Sequence, residues 1–444
     1  MPGGLLQLAA YGAQDLFLTG NPQMSFFIAA YKRHTNFAIE SVNQKFIGEN
    51  GFGKKVSCTI DRIGDLITNI FVDVTLPSMA DLKKSDTNIV GWTNNIGYTL
   101  IKECEIEIGG TVIDKQYGIW MGIWYELTTP QSKRYAGDLL IGKESPTSTV
   151  EHRSKAYHLH IPLFFWFCRH EGLALPLIAL QFHEVKINIE FRRFDEMWQS
   201  LDGSYNPIIC PETCKGKYEL INPSLYVDYI YLENEERKLF VQRKHNYLIE
   251  QVQMNTQTFN TYQPNVIFNL ELCHPIKEIM WIIQNEDVIK KNTSSIDTKG
   301  EDKGKGKGNE WFNFSDRSFY TPNIGPGGGD VPTDPFIDAE LQIEGNQRFS
   351  PRDAQFFRLL QPFQRHTYTP DWFVYMYSFA LHPERLQPSG TCNFSRIDNS
   401  DLVMTLASNA KDNKFLKNPR ITLFAMNYNV LQIASGMAGL AYMS

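Results

Sequence analysis

His158 and His160 are the first residues in this 444-residue chain whose types and spacing could do chemistry. On a strand, positions i and i+2 share a face, so both imidazoles could meet one metal ion. A carboxylate should then follow closely. The next run, Ile161-Pro162-Leu163-Phe164-Phe165, offers none before Glu171, and the second half of the chain has no H-x-H. Cys210 and Cys214 are the only close cysteine pair, with C-x3-C spacing and no second ligand pair nearby. Loop thiols are expected there rather than a zinc site. The cysteine count, 7, is odd, and most lie in apolar runs, so buried free thiols are expected. From Gly300 to Gly308 lysine alternates with glycine. Lys303, Lys305 and Lys307 are each followed by Gly rather than Lys-[Ser/Thr], so no phosphate-loop frame is met. Neither G-x-S-x-G nor H-E-x-x-H occurs. A Ser/His/Asp triad stays open, because its members can lie far apart in sequence. The reading is therefore no catalytic residue, no metal and no cofactor. Sequons occur at Asn292, Asn313 and Asn393. The first two fall in a long loop and are the candidate glycan sites.

The elements that must position these residues are mostly strands. The 29 Phe, 20 Tyr, 22 Pro and 31 Gly favour β structure with many loops. Polar and apolar residues alternate in Lys55 to Ile60 and in Asn69 to Val74. Glu105 to Ile113 reads as a hairpin turning on Gly109-Gly110. A Trp-rich helix, Ile119 to Tyr125, comes next. Strands are expected at Tyr157 to Phe167, Leu173 to Phe182, Lys186 to Phe191 and Leu225 to Leu232. The charged run Glu233 to Lys238 interrupts the pattern, and a boundary is placed near Arg237 to His245. New strands follow at Tyr247 to Val252, Val266 to Leu272 and Ile276 to Ile283. Near the N-terminus, Asn21-Pro22 looks like a helix cap with Pro at the first position. It predicts a helix over Met24 to His34 with an apolar face of Phe26, Phe27, Ala30 and Tyr31. Residues 290–334 form one long break, read as a solvated surface loop.

The β series repeats. Glu105 to Gly110 leads into a helix, and so does Ala339 to Asn346, ahead of a helix-like stretch from Asp353 to Leu360. Tyr157 to Phe167 leads into Leu173 to Pro176, as Trp372 to Leu381 leads into Leu386 to Gly390. Aromatic-rich strands, Leu225 to Leu232 and Ile421 to Val430, close the two halves. The fold class is therefore all-β, with two tandem eight-stranded jelly-roll sandwiches, short helices and long loops. The divisions are an arm at 1–36, a first jelly roll at 37–236 and a second at 237–444.

Several segments carry a resemblance. They are Ala10-Tyr11-Gly12-Ala13-Gln14-Asp15, Leu18-Thr19-Gly20-Asn21-Pro22-Gln23, Tyr31 to Phe37, Gly64 to Thr68 and Ile106 to Gly110. In the second half they are Gln387 to Asn399, Asn427 to Leu431 and Ser435 to Tyr442. In this order they resemble the double jelly-roll major capsid proteins of large icosahedral double-stranded DNA viruses of algae and amoebae. The resemblance covers the whole chain and is weakest over 290–334. It implies a structural protein of the virion, assembled in the host cytoplasm, whose homotrimers form pseudo-hexagonal capsomers. Cyclic symmetry uses one heterologous interface three times, and duplication within the chain supplies the other three corners. The resemblance also implies an inner-face arm touching minor capsid and penton proteins and inner viral membrane proteins. Tyr11, Asp15, Asn21, Phe26, Phe27 and Tyr31 are the candidate contacts. The loop at 290–334 would lie on the outer face.

Two rival readings are a two-domain cupin-like metalloenzyme and a carbohydrate-binding sandwich. The first lacks the carboxylate and the second-half histidines it needs. For the second, most aromatics lie on strand patterns and are expected in the core. The 43 Lys+Arg against 49 Asp+Glu give a net charge of −6, so no direct nucleic-acid partner is expected. No run reaches membrane-span length, and Met1 to Leu6 lacks the basic-then-apolar order of a secretory leader.

Overall fold

The computed structural model describes residues 2–79, 89–144, 154–201, 218–259, 263–285, 309–315, 333–407 and 419–442. Cys210, Cys214, Asn292 and the Lys-Gly run of 300–308 lie outside the described residues. The chain separates into two compact units, Met1–Phe37 and Ala38–Ser444.

The smaller unit carries two short helices, α1 (Gly3–Ala9) and α2 (Leu16–Thr19). The expected helix over Met24 to His34 is absent, and those residues have no regular structure. Asn21 has φ +49°, a left-handed conformation unlike the extended geometry of an N-cap. The run Phe26-Phe27-Ile28 joins aromatic and β-branched residues of modest helix propensity. A short segment of that kind forms a stable helix only when its apolar face is packed, and these side chains are exposed.

Among the described residues, the larger unit is built from sixteen principal strands. The first eight are β1 (Phe37–Lys45), β2 (Lys55–Thr59), β3 (Leu66–Leu76), β4 (Ile101–Ile108), β5 (Thr111–Tyr117), β6 (Tyr157–Pro162), β7 (Val185–Phe191) and β8 (Ile221–Leu232). They form one sheet in the order β1-β8-β3-β6 and another in the order β2-β7-β4-β5. The second eight are β9 (His245–Thr258), β10 (Asn265–Asn269), β11 (Pro275–Asn285), β12 (Phe336–Ile343), β13 (Asn346–Gln347), β14 (Tyr375–Ser378), β15 (Ser400–Leu406) and β16 (Pro419–Ala434). Their sheets run β9-β16-β11-β14 and β10-β15-β12-β13. Counted from the start of each half, both sets read 1-8-3-6 and 2-7-4-5, the strand order of a jelly roll. Short strands such as Leu175–Pro176, Cys392–Asn393 and Met437–Leu440 add to these sheets, so the paired strands outnumber eight per half.

Local chemistry explains the elements. Val185, Ile187, Ile189 and Phe191 are buried and alternate with partly exposed residues along β7, the period of a sheet with one wet face. Gly109 and Gly110 take φ +59° and +85° between β4 and β5, as the turn requires. The sequon residue Asn393 accepts a hydrogen bond from Ser395 N at 3.1 Å and caps a 3₁₀ turn. Two expected strands are shorter than their apolar content suggested. Leu173 to Phe182 contains only Leu175–Pro176 as strand, because 3₁₀ turns at Glu171–Leu173 and Leu177–Ala179 flank it. Tyr157 to Phe167 leaves the sheet after Pro162. The charged run after β8 opens a helix, Asn234–Gln242, with Glu235 and Glu236 in its first turn, where the helix dipole favours them.

The sheet β9-β16-β11-β14 joins the halves. On β11, Ile279, Trp281 and Ile283 face the interior of the second sandwich, while Met280 and Ile282 enter the core shared with the first. On β16, Ile421, Leu423 and Ala425 face one way, and Phe424 and Met426 the other. A sheet buried on both faces explains why these strands read as near-continuous apolar runs.

Candidate functional site

In a chain of this build the working parts are the contacts that make one block of two sandwiches and the surfaces that block presents. The helix Gly118–Thr128 (α3) lies at the junction. Trp120 and Trp124, one turn apart, stack with ring centroids 5.8 Å apart. Glu126, on the same helix, is buried. It forms an ion pair with Arg134 at 2.9 Å, pairs with Lys143 and accepts from Trp372 Nε1 of the second half at 3.2 Å. Tyr117 meets Phe424, and Gln251 Nε2 donates to Ile113 O at 2.5 Å.

A second buried charge group lies beside Trp124. His366 has no exposed side-chain surface. Its Nε2 lies 2.9 Å from Glu278 Oε2 and its Nδ1 2.8 Å from Glu384 Oε1. Burial alone would lower its pKa, but the charges and hydrogen bonds of Glu278 and Glu384 outweigh burial and lift it to about 9. Lys277 pairs with Glu250 at 2.6 Å, and burial pulls its ammonium down to about 7. Arg169, from the first half, also pairs with Glu250, and burial lowers its guanidinium to about 10. Buried charges leave water only when paired, and the Arg169–Glu250 pair joins the first sandwich to the second.

The reading of 290–334 as solvated loop fails over its middle. Residues 309–315 form a strap from the second sandwich into the first. Trp311, Phe312 and Phe314 are buried in the shared core. Trp311 Nε1 donates to Glu196 O at 2.7 Å, and the Arg192 guanidinium sits 3.8 Å from the ring centroid. Asn309 Nδ2 donates to Trp198 O at 2.8 Å, and Thr93 Oγ1 donates to Asn309 O at 2.8 Å. Phe312 lies against Gly122 of α3, where an added Cβ would stand 2.3 Å from its ring. The signal was present in the sequence as three aromatics within Trp311-Phe312-Asn313-Phe314, inside a run of Gly, Lys and Ser. Asn313 is buried too. Its Nδ2 donates to Glu310 and its Oδ1 accepts from Ser315 Oγ at 2.7 Å, so a glycan on this amide would displace those contacts.

Tyr11, Asn21, Phe26, Phe27 and Tyr31 all lie in the N-terminal unit with exposed side chains, Phe27 at 96%. Asp15 is half-buried and accepts from Gly12 N at 2.7 Å, which closes the turn ahead of α2. His158 and His160 do share a face of β6. Their rings are 4.5 Å apart, and Asp73 of β3 lies beside both. Cys58 and Cys104 are buried free thiols, and burial raises Cys58 to about 11.

A duplicated jelly roll with a doubly buried joining sheet defines the class: the double jelly-roll proteins of viral shells. Comparison with known proteins makes this specific. Residues 25–233 match the model of the major capsid protein N-terminus, and residues 236–439 match that of the large eukaryotic DNA virus major capsid protein. The chain is 37% identical to the major capsid protein of Phaeocystis pouchetii virus, over 100% of both chains. It is 37% identical to that of Paramecium bursaria Chlorella virus 1, again over 100% of both. Among solved structures, PBCV-1 VP54 superimposes with TM-score 0.73 at 31% identity, covering 95% of this chain and 100% of that one. The Faustovirus major capsid protein shares the fold at TM-score 0.71 with 14% identity. The chain belongs to the large eukaryotic DNA virus major capsid protein family. It is a structural component of the virion that assembles with copies of itself into the icosahedral capsid.

Proposed function

We propose that three copies of this chain close into a homotrimeric, pseudo-hexagonal capsomer that has no enzymatic role. The carrying observation is that both sandwiches have the same strand order and are fused through one doubly buried sheet. One chain thus offers two similar corners in a fixed relation, and threefold closure makes six. Such a block tiles a hexagonal lattice while keeping true threefold symmetry. The N-terminal unit, rich in exposed Leu, Phe and Tyr, is the element that meets minor capsid and penton proteins and the inner membrane proteins. Its candidate contacts are Tyr11, Asp15, Asn21, Phe26, Phe27 and Tyr31. Light scattering on the purified full chain tests the trimer. The expected mass is that of three chains, independent of concentration across the micromolar range. A stable monomer under every assembly condition overturns it.

A further inference from the structure

We propose that Asp73, His158 and His160 form a divalent transition-metal site on the solvent-facing side of the first sandwich. The register of β3 and β6 assembles it: Asp73 pairs directly with His160, and Thr75 with His158. All three project from the same face, while Val72, Val74, Leu159 and Ile161, which alternate with them, are buried in the core. The ligand atoms lie within 4.8 Å of one another. His158 Nε2 is 3.4 Å from Asp73 Oδ1, and His160 Nδ1 is 3.9 Å from the same oxygen. In a tetrahedral zinc site with bonds near 2.05 Å, neighbouring ligand atoms stand about 3.3 Å apart. The first separation already fits, and a small turn of the His160 ring brings in the third ligand.

The surroundings suit a metal ligand. Thr75 Oγ1 lies 2.8 Å from His158 Nδ1, which orients the ring and turns Nε2 toward Asp73. A hydrogen-bonded outer nitrogen of this kind is the usual support for a metal-bound imidazole. Two neutral nitrogens and one carboxylate suit Zn²⁺ and its neighbours in the first transition row better than Ca²⁺ or Mg²⁺. Both imidazoles are substantially exposed, so water can fill the remaining position. Bound there, the ion would clip β6 to β3. The H-x-H spacing alone did not reveal the site, because the third ligand comes from 85 residues upstream, through cross-strand register.

The test uses the untagged full chain, stripped with a chelator and dialysed against Zn²⁺ alone, then Co²⁺ alone. The expected result is one ion per chain, with a Co²⁺ visible spectrum free of thiolate charge-transfer bands. D73N and H160N should each weaken binding at least about tenfold, while H382N, a distant histidine variant, binds as wild type. Unchanged circular dichroism and chain association show that the variants fold. Stoichiometry far below one, wild-type binding by both D73N and H160N, or a thiolate-type Co²⁺ spectrum each overturns the assignment. The first two outcomes leave Asp73 and the histidines as an ordinary ion pair.

Discussion

Replacing Trp311 with alanine should unlatch the strap without unfolding either sandwich. Trp311 is 6% exposed, stacks on Arg192, and donates its indole N–H to Glu196 O. Removing a buried Trp costs about 3–5 kcal/mol in a closed core. Phe312 and Phe314 remain as anchors, so the lower end, about 3 kcal/mol, applies to opening of the strap. Since each 1.4 kcal/mol is a factor of ten, the open fraction should rise about a hundredfold. Hydrogen exchange read on a peptide spanning 309–315 reports this directly, because the amides of Trp311, Asn313 and Ser315 all have partners there. Protection over 309–315 should fall about a hundredfold, while β11 and β16 keep theirs. W311F keeps most of the buried surface but loses the indole donor, and should lower protection only about fivefold, for a bond worth about 1 kcal/mol. G122A is an independent check, since its methyl group must push Phe312 aside. Unchanged exchange in W311A, or wild-type exchange over 309–315 as fast as in unstructured chain, refutes the strap.

Two further outcomes follow. His366 has a folded pKa of about 9 against an ordinary value of 6.5, so its contribution is complete below pH 6.5 and is lost as pH rises through about 9. The difference corresponds to ~3 kcal/mol, and an imidazole NMR titration should find His366 still charged at pH 8. A midpoint below 7 contradicts the Glu278–His366–Glu384 arrangement. Deleting residues 1–20 should leave the capsomer intact but impair recruitment of minor capsid proteins, read by co-sedimentation with assembled shells. Normal recruitment sinks the proposed role of the arm.

The sandwiches were legible in the sequence where one face is wet. Lys186 to Phe191 alternates cleanly, and Gly109-Gly110 marks the turn between β4 and β5 by residue type alone. The duplication was legible too, because equivalent hairpins, Glu105 to Gly110 and Ala339 to Asn346, occur in the same order relative to their helices. The joining sheet was harder to read. β11 and β16 read as strands, but a continuous apolar run does not say what covers its second face. The arm helix failed because its cap and apolar spacing are local signals, and a short helix depends on packing those signals do not supply. The strap is obscured by its flanks: Lys-Gly and Gly-Pro composition dominates the window and outweighs the short aromatic cluster inside it. Asp73 was invisible as a partner of His158 and His160, since only strand register brings them together.

The most direct test of the account is electron microscopy of the purified chain. It should show uniform blocks with pseudo-hexagonal outline and true threefold symmetry, two sandwiches from each of three chains. Particles with a single pair of sandwiches, or rings with any symmetry other than threefold, would contradict it.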